Sequence, residues 1–133
     1  MEIHGSITFV IADEKNIDVD FGADIIPTKT VKKGDVIVRG RKAPANRWKY
    51  ILEFDNEEEF YSNLEKMVNQ LCERSEYVNQ LTKMYEEVSI KIFIGSDFAQ
   101  IGFYLPNHIL KKLALLDCEV SIEIISFGMV EDK

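Results

Sequence analysis

Histidine and cysteine are scarce in this chain of 133 residues: His4, His108, Cys72 and Cys118 are all there are. Two cysteines are too few for a disulfide framework. Both lie in apolar stretches, where a thiol behaves as a small hydrophobe, so reduced and buried cysteines are expected. The two histidines are far apart in sequence and have no i,i+4 partner. A Cys–His or Ser–His–Asp centre would need one of them as base. His4 opens a strand-like run and His108 falls in the first turn of a helix-like one, where exposed or locally bonded imidazoles are ordinary. HExxH, CxxC, GxSxG, Walker and GxGxxG patterns are all missing, which removes the first requirement of the common motif-bearing chemistries. No apolar run approaches the length of a membrane span. The opening MEIHGSITFVIA lacks the basic leader and cleavage site of a signal peptide. A single cytoplasmic domain over residues 1–133 is the expectation.

The composition is that of a soluble globular protein, with 46% hydrophobic and 29% charged residues. The net charge of −7 repels phosphate backbones, so nucleic acid is an unsuitable partner. It favours a basic partner through steering, and it serves solubility equally well.

NIDVDFGAD, Asn16 to Asp24, resembles a calcium loop in its alternating oxygen ligands. An EF-hand loop needs Gly at position 6 and a bidentate Glu at position 12. Counted from Asn16, those positions hold Phe21 and Pro27, and counting from Asp18 puts no carboxylate at position 12. Neither register serves, and no metal or other cofactor is expected.

Period-two alternation marks strands at residues 3–11, 36–40, 47–54, 88–94, around 100–105, and at 118–127. Residues 17–24 fit both a strand and a helix, and a short helix or turn ending near Asp24 is expected. Asp55 to Arg74 is the clearest helix. Asp55 or Asn56 caps it with Glu58 or Glu59 in reply, three glutamates complement its dipole, and Phe60, Leu64, Met67 and Leu71 form its apolar stripe. Ser75 is expected to cap a second helix bearing Val78, Leu81 and Tyr85. Pro106 opens a third, with Ile109, Leu110, Leu113 and Leu116 facing inward. The final residues MVEDK read as a frayed tail. The fold expected is α+β: a mostly antiparallel sheet of about six strands against amphipathic helices, in two layers.

Lys32, Lys33, Arg39, Arg41, Lys42, Arg47 and Lys49 crowd one region of an acidic chain, with Trp48 among them. The cluster reads either as an anion or nucleotide pocket or as solvated strand residues with Trp48 turned into the core. Trp48, Tyr50, Leu52 and Phe54 share one face, which places Trp48 inward, against Phe60, Leu64 and Met67.

The order Ile26-Pro27-Thr28, Lys33-Gly34-Asp35, Arg39 or Arg41, then Trp48, followed by the long helix and IGFYLPNHILKKLALLDCEVSIEI, resembles the bacterial domain-of-unknown-function family numbered 4279. The resemblance spans nearly the whole chain. Asp24 departs from it, since the family tends to place glycine at the end of its first helix. The resemblance implies no reaction and no catalytic residues. It implies a genomic setting rich in small proteins like the immunity proteins of polymorphic toxin systems.

Two functions follow as expectations. The first is a non-catalytic immunity-type protein that covers a basic toxin domain with an acidic face at Asp55, Glu57, Glu58, Glu59 and Glu65. The alternative is a small-ligand protein or an uncharacterised enzyme using Pro27, Thr28, Lys33, Gly34, Asp35, Arg39, Arg41 and Trp48. Neither involves nucleic acid or membrane, and the oligomeric state is left open.

Overall fold

Strand and helix alternate in the chain as the hydrophobic periods require. A computed structural model describes residues 3–98 and 100–129. The strands are β1 (His4–Asp13), β2 (Lys29–Val31), β3 (Asn46–Phe54), β4 (Glu87–Phe98) and β5 (Glu119–Met129). The helices are α1 (Glu57–Cys72), α2 (Ser75–Met84) and α3 (Asn107–Leu116). One sheet has the order β2-β3-β1-β4-β5. β1 lies at its centre, antiparallel to both β3 and β4, with Ile7 opposite Leu52 on one side and Ile92 on the other. β4 and β5 run parallel, which demands a crossover, and α3 supplies it.

All three helices pack on one face of the sheet. Ile7, Phe9 and Ile11 of β1, Trp48, Tyr50 and Phe54 of β3, and Val88, Ile90, Ile92 and Ile94 of β4 point to that side. They meet Phe60, Leu64, Met67, Val68 and Leu71 of α1, Val78 and Leu81 of α2, and Ile109, Leu113 and Leu116 of α3. Burying each such side chain stabilises by roughly 1.5–3 kcal/mol, so α1 is held chiefly by docking rather than by its intrinsic propensity. Its start is set locally. Asn56 Oδ1 accepts the Glu59 N–H at 2.8 Å, and Glu59 Oε1 accepts the Asp55 N–H at 3.3 Å. No helix among the described residues is long and apolar enough to cross a membrane.

The two-layer α+β architecture is as expected, but the local elements differ in several places. Residues 17–24 form no helix but end in a turn at residues 23 and 24, the second of the two expected forms. The Asp18 and Asp20 N–H groups before it donate to the Tyr85 and Tyr77 hydroxyls at 3.0 and 3.1 Å. The left-handed position is Gly22 (φ 87°), so Asp24 does not end a helix. Asp24 instead binds Arg74, which sits between α1 and α2 immediately before Ser75. Residues 36–40 are not a strand: Val36 makes one isolated bridge to Lys42, and Val38–Gly40 is a 3-10 turn. Positive φ at Arg39 (62°) and Gly40 (73°) ends any extended run there. Lys29–Val31, which reads as polar loop, forms β2 instead.

The Gly95-Ser96-Asp97 sequence does not turn the chain. It continues β4, and Gly95 makes room for His4, whose Nε2 would lie 2.8 Å from any added Cβ. Residues 100–105 alternate Ile101, Phe103 and Leu105 toward the core without joining the sheet. Alternation reports which side is buried and not whether a neighbour strand exists. Among the described residues the sheet therefore has five strands rather than six. Ser75 is the first helical residue of α2 and makes no side-chain cap. Leu110 of α3 is exposed. The expected frayed tail falls largely on residues 130–133, outside the described residues.

A candidate binding site on the open face of the sheet

The face of the sheet away from the helices carries a trough, and the residues of β1 explain why. On that face the central strand, past His4 at its start, presents small side chains: Ser6, Thr8, Val10 and Ala12. The flanking strands present long ones at the same levels. The register gives rows of neighbours across the sheet. One row is Lys29, Lys49, Val10, Ser89 and Glu119, and the next is Ile51, Thr8, Lys91 and Ser121. Beyond them lies the row of Glu53, Ser6, Phe93 and Glu123. Small residues between large ones leave a hollow of about 320 Å³, at the lower end of the range for small-molecule sites. Val10 is 1% exposed although no helix covers it, because the flanking side chains wall it in.

Positive charge gathers around this hollow. Arg47 and Lys49 from β3 and Lys91 from β4 line it, against the single carboxylate of Glu123. Lys29 of β2 stands beside Lys49 in the same row, just outside the lining of the hollow. The one ion pair on this face among the described residues joins Lys91 to Glu87 at 3.2 Å, and Glu87 also accepts from the Ser89 hydroxyl at 3.0 Å. Partial burial holds the Lys49 ammonium below the usual lysine range, and repulsion from Arg47, Lys29 and Lys91 adds to the effect; Glu87 opposes it. Two strands thus aim like charges at one concave surface, with Lys29 of a third beside them, an arrangement that costs stability unless an anion relieves it.

The structure splits the basic cluster read in the sequence. Arg47 and Lys49 join the trough, whereas Lys32, Lys33, Arg39, Arg41 and Lys42 are exposed on the loop between β2 and β3. Trp48 points to the opposite side of the sheet. It is 7% exposed, edge-on to Phe9 at 6.0 Å and tilted on Phe21 at 5.4 Å. Its ring neighbours are thus not the expected Phe60 of α1, which packs on Phe54 at the far end of β3. α1 runs back along β3, reaching the level of Tyr50 only at Gln70, where the phenol donates at 2.8 Å.

The other motif residues have structural partners. Thr28, after Pro27, accepts the Ile51 N–H on its hydroxyl oxygen at 2.9 Å and donates its own N–H to the Lys49 carbonyl at 2.7 Å, extending the β2–β3 ladder. Gly34 takes φ 92° in a turn closed by the Asp35 N–H on the Lys32 carbonyl, and Asp35 Oδ2 accepts the Lys32 N–H in return. The Lys33 N–H donates to Asn46 Oδ1 at 2.8 Å. These contacts account for the pattern Pro-Thr, Lys-Gly-Asp, Trp as a way of setting the β2–β3 connection.

The acidic set is exposed at the start of α1: Asp55, Glu57, Glu58, Glu59 and Glu65. Glu59 is engaged in the cap, and Glu65 lies 3.8 Å from His108. Among the described residues no group of three His, Cys, Asp or Glu side chains is placed to hold a metal ion. Cys72 and Cys118 are half-buried rather than fully buried. Burial pushes the Cys118 thiol up to about 11 and also raises that of Cys72, so both are poor nucleophiles at neutral pH.

Sequence reasoning missed Lys29 and Lys91 as members of the site, because only the strand register brings them beside Lys49. One local signal pointed to the hollow: the small residues at alternate positions 6, 8, 10 and 12 of an otherwise bulky strand. The profile of the family described as a domain of unknown function (DUF4279) matches residues 8–126. No curated protein and no solved structure matches the chain.

Proposed function

The chain belongs to the DUF4279 family, and from that premise we propose that it is a non-catalytic binding protein presenting the open face of its sheet to its ligand. The trough over β1 carries this reading. It combines hydroxyls, an apolar floor and cations in one concavity, the composition of a recognition site. Amide NMR spectra recorded with size-fractionated host extract test it. Shifts should centre on Thr8, Lys49 and Lys91 and vanish in Thr8→Tyr, which fills the trough. Shifts confined to the helical layer would refute it.

A second reading, an immunity-type protein that neutralises a basic toxin domain, is supported by the exposed carboxylates of Asp55, Glu57 and Glu58, which have no ion-pair partner among the described residues. The negative potential there would steer a cationic partner. It predicts shifts at residues 55–65 with the basic protein fraction and their loss in Glu57→Lys/Glu58→Lys.

A further inference from the structure

We infer that the trough takes a small organic anion with its charge at one end only: a carboxylate or phosphate group against Arg47, Lys49 and Lys91, and an apolar body over Val10, Ile51 and Phe93. The inference rests on the open face being the binding surface and names the chemical class that this surface recognises.

The charge pattern of the trough supports it. Among the described residues no carboxylate comes within 4 Å of Lys29, Arg47 or Lys49, although the protein as a whole carries an excess of acid. Lysine and arginine on a flat strand surface spread into water. Here they border a hollow floored by Val10 and edged by Ile51 and Phe93, so an anion placed among them has a partly dry environment that strengthens its charge-assisted hydrogen bonds. Partial burial and, after it, repulsion from Arg47, Lys29 and Lys91 depress the Lys49 ammonium, and a bound anion relieves the repulsion. The hydroxyls of Ser6, Thr8 and Ser121 supply further donors along the trough. Its far rim carries Glu123, which faces Phe93 in the register. A second negative group on the ligand would meet that carboxylate, which sets the ligand as anionic at one end only.

Four probes separate the contributions: benzoate and phenyl phosphate carry charge and ring, benzyl alcohol carries the ring alone, and terephthalate carries charge at both ends. In titrations of the labelled protein, benzoate and phenyl phosphate should shift the amides of Thr8, Lys49 and Lys91. Lys49→Gln and Lys91→Gln should each weaken binding by about tenfold or more, the loss expected for a charge-assisted contact, while Lys33→Gln should leave it unchanged. Terephthalate should bind more weakly than benzoate. Equal binding of benzyl alcohol would overturn the anion assignment while leaving the open face as the binding surface. Anion-induced shifts at residues 32–42 instead of the trough, or no shifts with any probe, would overturn both. Terephthalate binding as tightly as benzoate would overturn the one-ended polarity.

Discussion

Replacing Trp48 by alanine tests the packing of the fold where its irregular part meets the sheet. Trp48 is almost wholly buried, with Phe9 edge-on on one side and Phe21 tilted on another, and Phe21 in turn meets Tyr77 of α2 at 5.1 Å. Phe21 belongs to the extended segment after β1, so the indole is one of the groups that fastens that segment to the core. Deleting a core aromatic costs about 3–5 kcal/mol from a total stability of roughly 5–15 kcal/mol for a domain. A loss of that size should lower the melting temperature by roughly 10–20 °C in a chain of this length. Far-UV circular dichroism in a urea series is the suitable assay, because the substitution removes the only tryptophan. Phe21→Ala and the double variant should show a coupling of roughly 0.5–1.5 kcal/mol, the usual excess for an aromatic pair. Native wild-type emission should be blue-shifted and resistant to quenching. A stability loss under about 1 kcal/mol, with emission red-shifted and readily quenched, would refute the assignment.

Three other outcomes follow from local geometry. The Asp13 carboxylate is held below its ordinary value of 3.8, chiefly by the Lys15 N–H at 2.8 Å and further by the Glu86 N–H at 2.9 Å, while desolvation pulls the other way. A depressed folded value means stabilisation present above 3.8 and lost as pH falls through the folded value, so Asp13→Asn should melt lower at pH 7 and converge with wild type in strong acid; a pH-independent difference would contradict this. Gly5→Ala should unfold the protein or lower its melting temperature severely, because the new Cβ would sit 1.9 Å from the Phe93 carbonyl oxygen; a wild-type melting curve would show the β1–β4 contact to be wrong. The Cys118 thiol, pushed up to about 11, should alkylate slowly with iodoacetamide at pH 8 until denaturant is added, and labelling at the free-thiol rate would disprove its burial.

How much of this was legible depends on whether a feature is local. The start and face of α1 are written in Asn56, Glu59 and the Phe60–Leu64–Met67–Leu71 spacing, all within a few turns of each other. The inward turn of Trp48 follows from alternation inside β3. The trough is different, because Lys29, Lys49 and Lys91 come from three strands, and their meeting depends on registers that no single segment encodes. The errors over residues 36–40 and 100–105 share a cause. In Val36-Ile37-Val38 the β-branched pattern was genuine, but left-handed backbone at Arg39 and Gly40 broke the extension. In Ile101, Phe103 and Leu105 burial alternated without a strand to pair with. The parallel pairing of β5 could not be read from its own residues, since they alternate like those of an antiparallel edge.

The central position of β1 also orders events as the chain is made. Both neighbours of β1 are synthesised after it, and Ile7 finds Ile92 only when β4 has emerged. Until then a nascent chain can assemble β1 with β3 and α1, leaving one backbone edge of the apolar stretch Ile7–Ala12 without a partner. Pairings this distant in sequence close slowly, and an open apolar edge is a template for the wrong strand. Chains arrested before β4 should therefore be the species that aggregates and that a holdase chaperone captures, while chains released once β5 has followed β4 should escape it.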